Sequence, residues 1–146
     1  MNVLFVCYGN VGRSQIAEAF FNRYASKHNH ADSAGTHVDG YDGKTGQTLE
    51  EFAGIESGAK NVIIVMDEEG IDVSECRRTQ ITKEMLDNYD KIFVMAWPQE
   101  CPDYLIKHSN VKFWKVENPV GTGYDVYKIT REKIKSLVRL LVSDLG

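Results

Sequence analysis

Val3-Leu4-Phe5-Val6-Cys7-Tyr8-Gly9-Asn10-Val11-Gly12-Arg13-Ser14 carries an apolar run directly into a cysteine, a glycine-bearing loop and an arginine. Val3 to Val6 holds no polar position, so it predicts a buried strand. Gly9 and Gly12 are free to take positive φ and turn backbone N–H groups inward, and Ser14 opens a helix whose N-terminus favours negative charge. Cys7 is thereby predicted at the floor of an anion nest built from Tyr8, Gly9, Asn10, Val11, Gly12, Arg13 and Ser14. A helix N-terminus and a nearby guanidinium both favour thiolate over thiol, so the pattern describes a nucleophile facing a held oxyanion. Cysteine followed six places later by arginine is a weak signal alone. The preceding strand, the two glycines and the amphipathic segment Gln15 to His28 place it in one strand-loop-helix unit.

Working outward, a strand at 3–7, a helix at about 14–28 and a short strand near Ala31 to Ser33 make a βαβ unit, which implies parallel pairing. His37 to Gly58 carries five glycines among polar residues and reads as a long surface excursion with a short helical piece around Thr48 to Phe52. Ala59 to Gly70 is ambiguous: its β-branched run favours a strand, whereas the Gly70 stop fits a helix end. Thr82 to Asp87 reads as a short helix capped by Thr82, with Met85 and Leu86 inward. Ile92 to Met95 and Val111 to Trp114 read as strands. Asp125 to Leu145 spaces Ile129, Ile134, Leu137, Val138, Leu141 and Val142 as one face of a helix. The expected fold is a single α/β domain over residues 1–146, with a twisted four-stranded parallel sheet, helices on both faces, and ligands beyond the strands' carboxyl ends.

The chain has 146 residues, 42% of them hydrophobic, which suffices for one core. Three cysteines, no signal-like N-terminus and no apolar run near 18 residues predict a soluble, cytoplasmic protein without a membrane partner. A formal charge of −4, with acidic and basic residues interspersed, gives no reason to expect nucleic acid. The four histidines show no metal-ligand spacing.

Val6-Cys7-Tyr8-Gly9-Asn10-Val11-Gly12-Arg13-Ser14, followed by Ala17-Glu18, resembles the signature of the low-molecular-weight protein-tyrosine phosphatase family, whose fold is shared by thioredoxin-coupled arsenate reductases. The resemblance continues in order through Asp32-Ser33-Ala34-Gly35-Thr36, Glu69-Gly70-Ile71-Asp72-Val73-Ser74, Gln80-Ile81-Thr82 and Glu117-Asn118-Pro119. It implies a phosphate-binding loop after the first strand and a helix at 59–70. It also makes the excursion about a dozen residues longer than is usual in the family. It further implies that Cys7 attacks phosphorus while Arg13 clamps two oxygens, that Asn10, Ser14 and Ser33 brace the loop, and that no metal or cofactor is needed. The alternative for Asn10 is an ordinary turn residue and for Ser14 an ordinary N-cap, each ranked second.

The family's general acid is an aspartate before proline, and here that position is Asn118. An amide cannot deliver a proton. Three readings follow: Glu117 or Asp125 replaces the acid; the substrate has a good leaving group, as in a phenol ester, an acyl phosphate or arsenate; or the chain is a phosphate- or phosphoprotein-binding module. Read bare, Glu117 is first a solvated loop residue and Asp125 first a helix cap. The family's aromatic residues after the proline are replaced by Val120 and Gly121, for which Tyr8, Tyr41 and Trp97 are candidate substitutes. Under the arsenate-reductase alternative, with thioredoxin as partner, Cys76 and Cys101 would be the relay thiols. Cys101's usual partner falls near Ala96, which has no thiol, and Cys76 reads first as a buried structural cysteine and only second as a substitute thiol. Gly12 stands where the family often has a protecting second cysteine.

Overall fold

The computed structural model of the chain describes residues 1–40 and 43–145. Strands β1 (Asn2–Cys7), β2 (His30–Gly35), β3 (Lys91–Val94) and β4 (Val111–Phe113) form one parallel sheet in the order β2-β1-β3-β4. β1 is central, with Val6 paired to Ala34 on one side and Val94 on the other, and Cys7 paired to Gly35. The helices are α1 (Arg13–Tyr24), α2 (Leu49–Ala53), α3 (Ser57–Asp67), α4 (Asp103–Ile106) and α5 (Tyr124–Leu145), with 3-10 turns at Glu84–Asn88 and Pro98–Glu100. The expected α/β architecture is therefore found. None of the described helices is long and apolar enough to cross a membrane.

Alternation along β1 divides its side chains between two cores. Val3, Phe5 and Cys7 join Ile16, Phe20 and Phe21 of α1, Val62 and Met66 of α3, and Tyr127, Ile134 and Val138 of α5. Leu4 and Val6 face the other way, against Ile92, Val94, Leu86 and Leu105. Each fully buried side chain of this size contributes about 1.5–3 kcal/mol, so a one-residue slip of β1 would exchange the two cores at heavy cost. The first core is the more aromatic, with Phe5 stacked on Phe93 at 5.8 Å and meeting Trp114 at 5.6 Å.

Several boundaries depart from the sequence reading. α1 begins at Arg13 and stops at Tyr24 rather than His28, because Ala25 turns extended and its N–H still closes on Phe21. The helix expected at 59–70 runs from Ser57 to Asp67, started by Glu56, whose carboxylate accepts the Gly58 N–H. Residues 84–88 form a 3-10 turn without a side-chain cap, and the Thr82 N–H is directed at Met85 Sδ instead. On α5 the inward face is Tyr127, Thr130, Arg131, Ile134, Val138 and Leu141, while Ile129 is 67% exposed. Two residues from Tyr127 is about 200° around a helix, which turns Ile129 away from the core.

The expected helical piece of the excursion is found as α2, and residues 46–50 are tied to residues 74–78: the N–H groups of Gly46, Leu49 and Glu50 donate to the carbonyls of Arg78, Cys76 and Ser74 at 2.8, 2.9 and 2.9 Å, and the Arg78 N–H returns to Gln47 O at 2.8 Å. Thr48 and Glu51 form a capping box that starts α2, and its apolar residues Leu49 and Phe52 are buried.

Candidate active site

Cys7 ends β1 at the carboxyl edge of the sheet and is 2% exposed. Its Sγ lies 2.9 Å from Ser14 Oγ. Asn10 Nδ2 donates to both Ser14 Oγ at 2.8 Å and Ser33 Oγ at 2.9 Å, and Asn10 Oδ1 accepts the Thr79 N–H at 2.8 Å. Because Ser14 Oγ already accepts from Asn10, its own proton can be directed at sulfur. Beyond Ser33, the Glu18 carboxyl is raised by burial first and then by neighbouring Asp32, with Ser33 opposing. Ser14 lies in the first turn of α1, and the N-cap position is Gly12.

The positive φ expected at Gly9 and Gly12 falls on Asn10 instead, at φ 52, while Gly12 sits at φ −99. Asparagine tolerates the left-handed region better than most residues, and in that conformation both ends of its amide are satisfied. Glycine is required nearby at Gly35, where a Cβ would lie 2.7 Å from Asn10 N and 2.8 Å from Tyr8 O. Its absence lets β2 back against the loop.

Above this floor opens a cleft of about 330 Å³ that takes in Cys7, Tyr8, Gly9, Val11, Gly12, Arg13 and Asn118. Arg13 is 3% exposed, and its Nη1 donates to the carbonyls of Met95 and, at 3.0 Å, Val116. Those carbonyls follow β3 and β4, so the sheet itself orients the guanidinium. Asn118 is exposed at the rim, where its Oδ1 accepts the Val120 N–H at 3.1 Å. Tyr8 stacks on His37 with ring centres 4.3 Å apart.

Asn10, Ser14 and Ser33 do not line the cleft; they lie behind it as support. Glu117 and Asp125 are also absent from its walls, Asp125 lying exposed in the first turn of α5 rather than capping it. The carboxylates that do line the cleft are Glu56 and Glu100. Of the aromatic candidates Tyr8 lines it, Trp97 does not, and Tyr41 lies outside the described residues. Cys76 and Cys101 lie outside the cleft as well, with burial pushing the Cys76 thiol up and the Cys101 thiol up to about 11. Among the described residues no group of three or more His, Cys, Asp or Glu is arranged to hold a metal ion.

Phe52, His37, Arg78 and Tyr127 also line the cleft and were not legible as site residues. Burial, then the charge of Glu56, pushes the Tyr127 phenol up to about 12. Nothing in the doublet Arg77-Arg78 tells which side chain turns inward, yet Arg78 is 2% exposed and Arg77 is exposed.

A profile of the family described as low molecular weight phosphotyrosine protein phosphatase matches residues 2–146. The chain is 27% identical over 147 residues to the glutaredoxin arsenate reductase of Synechocystis sp., covering 99% of this chain and 98% of that protein. It is 26% identical over 156 residues to the protein-arginine-phosphatase of Bacillus subtilis, covering 99% and 97%. The crystal structure of a low molecular weight protein tyrosine phosphatase from T. tengcongensis matches with a TM-score of 0.78 at 28% identity, covering 99% of each chain. The chain belongs to the low molecular weight phosphotyrosine protein phosphatase family, an enzyme family that carries both phosphatase and arsenate reductase names among this chain's relatives.

Proposed function

We propose that the chain is a phosphomonoester hydrolase that works through a cysteinyl-phosphate intermediate. Cys7 Sγ forms the S–P bond as the ester P–O bond breaks, and water then takes the phosphoryl group, releasing inorganic phosphate and the thiolate. The observation that carries this reading is the 2.9 Å contact of Cys7 Sγ with Ser14 Oγ, set in the Asn10 network at the cleft floor. A hydroxyl donating to sulfur stabilises the thiolate both as attacking group and as leaving group. With Nη1 of Arg13 tied to backbone carbonyls, Nε and Nη2 would be the edge offered to two phosphoryl oxygens, a planar fork that lysine cannot provide.

Asn118 supplies no proton, so the reading favours esters whose leaving group departs readily as an anion: a phenol such as phosphotyrosine on a protein, or an acyl phosphate. The test is steady-state and stopped-flow hydrolysis of p-nitrophenyl phosphate under reducing conditions, comparing the chain with Asn118→Asp. Slow turnover or a stoichiometric nitrophenol burst is expected, with the aspartate accelerating turnover by about a hundred- to ten-thousandfold. Equal rates would mean that position 118 was wrongly taken as the acid position. No nitrophenol release and no phosphate binding would sink the phosphatase reading.

The names of several relatives support a second reading, thiol-dependent arsenate reduction with thioredoxin or glutaredoxin as the reducing partner. It predicts arsenate turnover that depends on Cys76 or Cys101. Thiols outside the cleft and raised by burial are poor relay nucleophiles, which ranks this reading second.

A further inference from the structure

A loop that receives an anion on its N–H groups must keep its carbonyls turned away, and each of those carbonyls needs a donor of its own. Tyr8 O is held by the His37 N–H at 2.8 Å, Asn10 O by Gln15 Nε2 at 3.2 Å and Gly12 O by the Ile16 N–H at 2.9 Å. Gly9 O is held differently: Arg78 Nε and Nη2 both donate to it, at 3.1 and 3.0 Å. The same guanidinium donates through Nη1 to Gln47 Oε1 at 2.8 Å and lies 4.0 Å from the centre of the Phe52 ring. A Cβ on Gly43 would come within 2.0 Å of Arg78 Nη1 and 2.4 Å of Gln47 Oε1, so the excursion closes tightly around this pair.

Gly9 has no side chain to restrict it, and the peptide that follows leads into the left-handed Asn10. Two N–H groups of one planar fork on a single carbonyl fix the plane of that peptide, which a backbone or amide donor with one bond does less firmly. The cation also comes from neither β1 nor α1. It comes from residues 74–80, the stretch to which the excursion is stitched.

We propose that Arg78 is a positioning residue. It holds the Gly9–Asn10 peptide in the orientation that receives the oxyanion and, through Gln47 and Phe52, makes oxyanion affinity depend on the docking of residues 43–53. This rests on the phosphatase reading for the identity of the anion.

The test is calorimetric binding of inorganic phosphate to the full chain and to Arg78→Met, Arg78→Lys, Gln47→Ala and the double variant Arg78→Met with Gln47→Ala. Arg131→Met serves as a stability control, because Arg131 ties α5 to Glu68 and Val65 away from the cleft. Arg78→Met is expected to weaken phosphate binding by about ten- to a hundredfold, the scale of a lost charge-assisted bond. Arg78→Lys restores less than about threefold of that, because a point charge lacks the fork. Gln47→Ala weakens binding by about three- to fivefold and adds nothing once Arg78 is replaced, the signature of a shared element. Arg131→Met lowers the melting temperature but stays within about twofold in affinity. Wild-type affinity in Arg78→Lys would reduce the residue to a charge and overturn the positioning role, and unchanged affinity in Gln47→Ala would overturn the link to the excursion. If Arg78→Met does not fold, these two variants still decide the matter. A wild-type chain that binds no phosphate overturns the phosphatase reading and the clamp with it. A wild-type chain that binds, with Arg78→Met binding equally well, overturns the clamp alone.

Discussion

At the floor of the cleft Cys7, Asn10, Ser14 and Ser33 are at most 6% exposed, and Asn10 links the two serines by bonds of 2.8 and 2.9 Å. At the rim Asn118 and Val120 are exposed, joined by one 3.1 Å bond that closes a local turn. The floor is held by bonds among its own side chains, whereas the rim is held by a bond from the Val120 N–H to the Asn118 side chain. Under the proposed function the two regions divide the work. The floor governs oxyanion binding and S–P bond formation, and the rim governs the leaving-group proton. Turnover can then be lost or regained at the rim without disturbing the floor.

The largest expected break is Cys7→Ser. It should lower p-nitrophenyl phosphate hydrolysis by on the order of ten-thousandfold or more, as removal of a nucleophile does, while calorimetry shows phosphate still bound within a few-fold. Hydrolysis at the wild-type rate would place the nucleophile elsewhere and dissolve the division between floor and rim.

A smaller effect is expected from Asn10→Ala. It leaves the Thr79 N–H without its acceptor and the two serines without their shared donor, and puts alanine at φ 52. Denaturant unfolding should show a loss of about 2–4 kcal/mol, and turnover should fall with it by about ten- to a hundredfold. Stability lost with turnover intact would show that the network braces the fold without tuning the nucleophile.

The floor was largely legible in the sequence because its signals are local. Val3 to Ser14 specifies strand, loop and helix within one stretch, and Cys7, Arg13 and Asn118 all line the cleft. Even there the left-handed residue was misassigned, since a glycine's freedom does not show that it is used, and Asn10 takes the strain because Ser14, Ser33 and Thr79 satisfy its amide. The walls were not legible, because Phe52, Arg78 and Tyr127 reach the cleft only through long-range packing. The anchoring of the excursion was hidden for a related reason: its glycines describe the chain's local freedom and not the backbone of residues 74–78 to which residues 46–50 bind. Ile129 misled by type, since an apolar residue on an amphipathic helix carries no mark of whether it lies on the buried stripe.

The smallest expected effect concerns how far the dry floor extends. Burial raises the Glu18 carboxyl above the ordinary glutamate value, so the folded chain holds this proton more tightly than the unfolded chain does. A group raised on folding contributes stability that is complete below its unfolded pKa and lost as pH rises through its folded one. Glu18→Gln keeps the side chain's size and removes its charge. The variant should therefore match or trail the wild type near pH 4 and gain on it as pH rises toward 7, by less than the Asn10→Ala loss, as read by thermal melts across that range. Parallel curves would mean that Glu18 is as well solvated folded as unfolded, ending the floor at Ser33. A widening gap would extend the water-poor region behind Cys7, Ser14, Asn10 and Ser33 to a carboxyl whose proton is held by the fold.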